Sequence, residues 1–192
     1  MDSVECIDLA NPRARWKMVA PMATPRSSHT VEVLDGIIYV VGGGDGKEWL
    51  CSSEAYNPKT DKWNFISDLK TKRWKCSLCV LNGHLYAIGG MDSPTAGFWG
   101  SPLKSVERYF PAKDEWTPVA PMSEARFGSA VAAYQGKIYV SGGFGVSKSI
   151  LASTECYDPE HDRWEKVTPM KKMCGFVGGA LVDKPVHFEA NV

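Results

Sequence analysis

The sequence predicts an all-β fold of the propeller class, built from four-stranded blades. Three observations carry that reading. A Trp recurs as Trp16, Trp63, Trp116 and Trp164, at intervals of 47, 53 and 48 residues. A glycine pair recurs as Gly42-Gly43, Gly89-Gly90 and Gly142-Gly143. No stretch shows an apolar period of about 3.6 residues, as a helix would. Self-similarity at about fifty residues marks an array of supersecondary units.

Residues 2–20 supply only the third and fourth strands of a unit. Complete units follow at about 24–66, 71–119 and 124–167, and a partial one occupies 172–192. The whole of 1–192 thus reads as a single repeat domain. Each full unit opens with a recurring Arg (Arg26, Arg73, Arg126) and an apolar-rich strand. A two-residue turn comes next, Asp35-Gly36, Asn82-Gly83 or Gln135-Gly136. Asp-Gly and Asn-Gly provide the positive φ that a tight hairpin needs. The second strand carries Tyr39, Tyr86 or Tyr139 and runs into the glycine pair, where close backbone approach is possible. After a variable loop, the third strand carries Glu54 and Tyr56, Glu107 and Tyr109, or Glu155 and Tyr157. A polar turn (NPKTD, FPAKD, DPEHD) then reverses the chain into the Trp strand. Each Trp can bury about 150–250 Å², enough to cement one blade to the next.

The Gly-Gly doublet, the Glu-x-Tyr-x-Pro run and the trailing Trp resemble the kelch repeat. The expected architecture is therefore a kelch-type β-propeller of three complete four-stranded blades plus half-blades at both ends. The chain resembles the C-terminal kelch domain of BTB-kelch ubiquitin-ligase adaptor proteins. That resemblance implies substrate recognition for a cullin-RING ubiquitin ligase, with actin binding as an alternative. The BTB and BACK domains that precede the repeats in those adaptors have no counterpart in residues 1–192. Ligase docking is thus expected only through a longer parent chain.

Two arrangements fit the ends. Residues 172–182 look like a first strand, but the pattern stops after about Val182, in PVHFEANV. In one arrangement 172–192 pair with 2–20 as a composite fourth blade, closing the ring and covering its edges. In the other, the chain is a shortened form of a longer propeller and its terminal repeats lack caps.

Composition narrows the function. Lys plus Arg and Asp plus Glu are both 22, so no basic excess favours nucleic acid. No apolar run approaches the roughly 18 residues of a membrane span. The start, MDSVEC, lacks the apolar core of a signal peptide. A cytoplasmic or nuclear, reducing location is expected. The six cysteines fit it: they show no disulfide-framework spacing, and Cys76 and Cys79 form a single CxxC inside a strand-like run, without a second ligand pair. No cofactor and no metal are expected. Kelch-fold oxidases and sugar isomerases make an enzyme the remaining alternative, since fold does not imply function. However, His29, His84, His161 and His187 do not converge in this topology, and Glu54, Glu107 and Glu155 sit on separate blades. General acid–base work needs two carboxyls at one substrate, so these Glu residues are read as structural.

Binding is expected on the face that carries the second-to-third-strand loops and the inter-blade linkers, because loops vary without disturbing the blades. The loops offer Trp49, Phe98, Trp99 and Phe144. Arg26, Arg73 and Arg126 recur with the Trp period and are read as scaffold, bonding carbonyls of a neighbouring blade. Their non-recurring neighbours Trp74, Lys75 and Phe127 are binding candidates, since aromatic residues dominate interface hot spots. In the adaptor family, positions just after this Arg help to form a shallow pocket that receives an extended peptide. A protein or extended peptide is the expected partner.

Overall fold

A computed structural model describes residues 1–92, 100–176 and 178–179. The chain opens with a two-stranded half-blade, β1 (Val4–Cys6) against β2 (Lys17–Val19). The first full blade comprises β3 (Thr30–Leu34), β4 (Ile37–Val41), β5 (Ser53–Asn57) and β6 (Lys62–Ile66). The second comprises β7 (Ser77–Leu81), β8 (His84–Ile88), β9 (Val106–Phe110) and β10 (Glu115–Val119). The third comprises β11 (Ala130–Tyr134), β12 (Lys137–Ser141), β13 (Thr154–Asp158) and β14 (Arg163–Val167). Every pairing is antiparallel between sequence neighbours, as expected of propeller blades. The composite-blade reading rests on residues 172–192, of which 177 and 180–192 lie outside the described residues.

The cores lie between blades. Leu34, Tyr39 and Val41 of the first blade pack with Leu78, Leu85, Ala87, Tyr109 and Trp116 of the second. Cys79, Tyr86 and Ile88 of the second pack with Ile138, Val140 and Tyr157 of the third. The recurring Trp residues do not share one fate. Trp116 is fully buried, and Trp63 and Trp164 are half-buried. The Trp63 and Trp164 indoles donate to the Ala20 and Ala120 carbonyls of the preceding unit, at 2.8 and 2.9 Å. Trp16 does not follow the expected packing role, because it is 64% exposed.

A polar relay explains why the units stitch in order. Tyr56, Tyr109 and Tyr157 donate to Asp61, Asp114 and Asp162 at 2.7–2.8 Å. Those carboxylates also accept the backbone N–H of Ala20, Ser67 and Ala120 in the preceding unit. Each Asp holds a positive φ, a conformation that Asp tolerates better than most residues. In the half-blade, Ile7 and Ala14 stand where a Tyr and an Asp stand in the full blades, so it has no such relay to offer.

The Arg–Glu pairs correct one expectation. The side chains of Arg26, Arg73 and Arg126 are buried against Glu54, Glu107 and Glu155 of their own blades, at 2.8–3.0 Å. Arg26 also donates to the Gly42 and Ser52 carbonyls, both at 2.9 Å and both within that blade. The bonds between blades run through the backbone: Arg73 N–H donates to Leu50 O and Gly43 N–H donates to Arg73 O, at 3.0 and 2.9 Å. Gly42, at φ +63°, admits this approach, and a Cβ there would collide with Arg73 O. At the next linker Cys174 takes the Arg position, with its N–H on Leu151 O and its carbonyl accepting from Gly143 N–H.

Candidate functional site

The residue that follows each Arg pairs with the residue that follows each glycine doublet: Ser27 with Gly44, Trp74 with Met91, Phe127 with Phe144. These short bridges lift paired side chains onto the loop face. The next position (Ser28, Lys75, Gly128, Phe176) has a positive φ in every linker. There the backbone steps between units, Lys75 N–H to Ser28 O and Gly128 N–H to Lys75 O, at 3.1 and 3.0 Å.

The result is an aromatic pocket of about 340 Å³. Its walls are Trp74, Lys75, Met91, Phe127, Phe144 and Phe176, with Lys148 at its edge. Phe127 and Phe144 stack at 5.3 Å, and Phe176 leans on Phe144 at 4.5 Å. The Lys75 ammonium lies 4.3 Å from the Trp74 ring centre and 3.9 Å from that of Phe176. Burial holds its pKa below the usual lysine value, because desolvation disfavours the charged form.

The structure brings Trp74, Lys75, Phe127 and Phe144 together. Phe127 differs from the expectation of an accessible contact: at 7% exposure it is buried under its neighbours and forms part of the floor. Trp49 does not line the pocket but stacks on Trp74 at 5.3 Å and supports it. Phe98 and Trp99 lie outside the described residues. Sequence reasoning missed Met91 and Phe176. Aligning TPMKKMCGF with APMSEARFG would have placed Phe176 at the Gly128 position, but the Cys in place of Arg hides that match.

Two of the histidines lie toward the opposite face. His84 lines a cavity together with Asp158, and His161 bonds that same Asp158 at 3.1 Å. Asp158, Glu160 and His161 bring three potential donor atoms within 4.8 Å of one another, on an exposed turn. Lys137 engages the same Asp158 oxygen at 3.2 Å. His29 is elsewhere, beside the inner strands, with its Nδ1 buried and without a partner. Cys76 and Cys79 are buried free thiols pushed up by desolvation, to about 11 and about 12. Their poor ionisation suits packing rather than redox exchange. Among the described residues, no helix is long and apolar enough to cross a membrane.

A family model described as Kelch motif matches residues 25–70, 75–123 and 125–171. Kelch-like protein 26 of Mus musculus is 35% identical over 153 residues, covering 76% of this chain and 24% of that protein. Beta-scruin of Limulus polyphemus is 31% identical over 137 residues, covering 67% of this chain and 14% of the relative. The chain thus spans about a quarter or less of the length of these relatives. A solved structure titled "Structure of YjhT" superposes with a TM-score of 0.76 at 19% identity, over 88% of this chain and 60% of that one, a likeness of fold.

Proposed function

On the premise that the chain belongs to the kelch-repeat family, we propose that it is a protein-interaction module that docks an extended peptide on its loop face. The observation that carries this is the pocket of about 340 Å³ formed by residues that break the repeat. Aromatic walls supply contact area at low conformational cost, and hot spots concentrate in such sites. The partly desolvated Lys75 favours a segment that places an acidic residue beside an apolar one.

Within a longer parent chain, this module would serve as the substrate-recognition part of a cullin-RING ligase adaptor. The similarity to Kelch-like protein 26 supports that reading. Alone, the chain would compete for substrate without promoting ubiquitination. The test is a displayed-peptide selection on the purified chain, followed by binding of the selected peptides to Trp74→Ala and Lys75→Ala. Loss of binding with an unchanged melting temperature supports docking at this pocket, and unchanged binding overturns it. Co-precipitation of the chain itself with a cullin would contradict the competitor role. Co-sedimentation with filamentous actin, abolished by the same substitutions, would favour the cytoskeletal alternative.

A further inference from the structure

A second concavity, of about 520 Å³, opens between the second and third blades on the face opposite the loops. Its walls include the hairpin turns at Asn82 and Gln135, His84, Lys137, Arg108 and the Asp158 turn. Arg108 departs from the repeat. Opposite the second-strand Tyr, the first blade carries Ala55, the third Cys156 and the second Arg108. The Arg108 guanidinium carbon lies 4.4 Å from the Phe110 ring centre, and its Nε is buried with no acceptor. Among the described residues, it has no ion-pair partner.

A guanidinium partly withdrawn from water without an acceptor is costly. In the same chain the buried Arg26 and Arg73 each meet a carboxylate, whereas Arg108 is half-buried and meets none among the described residues. The acids in the concavity do not serve Arg108. Asp158 is taken by His161 and Lys137, whose hydrogen bonds hold its carboxyl down to about 2. Glu160 is exposed on the rim.

We propose that this concavity is a carboxylate-binding site, in which Arg108 receives a single carboxylate and the His84 ring flanks its apolar stem. A planar carboxylate matches the guanidinium fork. The exposed Glu160 on the rim sets the charge limit, since its negative charge disfavours a dianion such as phosphate more than a single carboxylate. Both a Glu or Asp side chain of a protein partner and a free small carboxylic acid have this chemistry.

The test follows the Arg Nε–Hε resonances of the full chain by NMR during titration. The probes are acetate, the blocked tripeptide acetyl-Gly-Glu-Gly-amide and inorganic phosphate. A saturable shift of the Arg108 resonance is expected with a carboxylate probe, with affinity falling about tenfold or more in Arg108→Gln. Saturation by acetate and peptide alike assigns a small carboxylate, and saturation by the peptide alone assigns a protein side chain. No Arg108 shift with either probe, tighter binding of phosphate, or undiminished affinity in Arg108→Gln overturns the proposal. Ala55 and Cys156 show that the blade tolerates smaller residues at this register. Should Arg108→Gln not fold, Arg108→Lys assigns the resonance and the titration of the unsubstituted chain decides.

Discussion

Arg73 and Trp74 are adjacent in sequence and opposite in fate. Arg73 recurs in register with Arg26 and Arg126, is fully buried, and is bonded to Glu107 and to the Gly89 and Ser105 carbonyls. Trp74 recurs nowhere, is half-buried, and forms a pocket wall. The contrast separates two layers of the molecule. Residues that repeat hold blades in place, and residues that break the repeat on the loop face shape the surface.

The sharpest way to break this comparison is to remove one half of a clamp. Glu107→Ala leaves the buried Arg73 guanidinium without its anion. A loss of about 3–5 kcal/mol is expected, read from the urea midpoint. A loss below about 0.5 kcal/mol, the ordinary surface value, would show that the clamps are not scaffold. Trp116→Ala should cost a similar amount, about 3–5 kcal/mol for an emptied core site. Trp16→Ala, at the exposed counterpart, should stay within about 0.5 kcal/mol. If the two Trp variants unfolded alike, the exposed position of Trp16 would be wrong.

These two Trp residues also show what the sequence made legible. The period, the glycine pairs and the hairpin turns specify the blades, because each needs a fixed residue type at a fixed place. Burial of a repeat residue depends on the unit packed against it, which periodicity does not encode. Glu5 occupies the position of Glu54 yet is exposed. The pocket was half legible. Trp74, Lys75 and Phe144 stand out as departures from the repeat, while Phe127 sinks beneath them. Phe176 escaped because Cys174 disguises its linker. Arg108 escaped because only the strand register shows that it faces Tyr86 across the sheet.

The relay between units gives a smaller effect with a defined pH signature. Backbone N–H groups of Ala20 and Ser67, followed by the Tyr56 and Tyr109 hydroxyls, hold the Asp61 and Asp114 carboxyls below their ordinary values. A depressed folded pKa adds stability that is present above the unfolded value of about 4 and is lost as pH falls through the folded one. The hydrogen bond to Asp61 pushes the Tyr56 phenol up to about 12. A raised folded pKa adds stability below the unfolded value of about 10, lost as pH climbs through the folded one. Melting temperature against pH should therefore fall on both sides of a neutral plateau. Tyr56→Phe should lower the plateau and flatten the alkaline limb. An unchanged alkaline limb would remove Tyr56 from the stitching between blades.

The smallest effect on stability is expected where the effect on binding is largest. Lys75 makes no carboxylate contact among the described residues, and its cation–aromatic contacts lie at the surface of the pocket. Lys75→Ala removes an ammonium that burial already disfavours, so the melting temperature should hold or rise slightly. Binding of an acidic docking peptide should weaken about tenfold, the loss of one charge-assisted contact, and more so at low salt than at high salt. Lys75→Glu should weaken it further through repulsion, while an uncharged peptide of the same shape should bind both variants like the parent. If instead Lys75→Ala lowered stability by as much as Glu107→Ala, position 75 would belong to the scaffold layer. The division between repeating and repeat-breaking residues would then fail at the place where the two stand closest together.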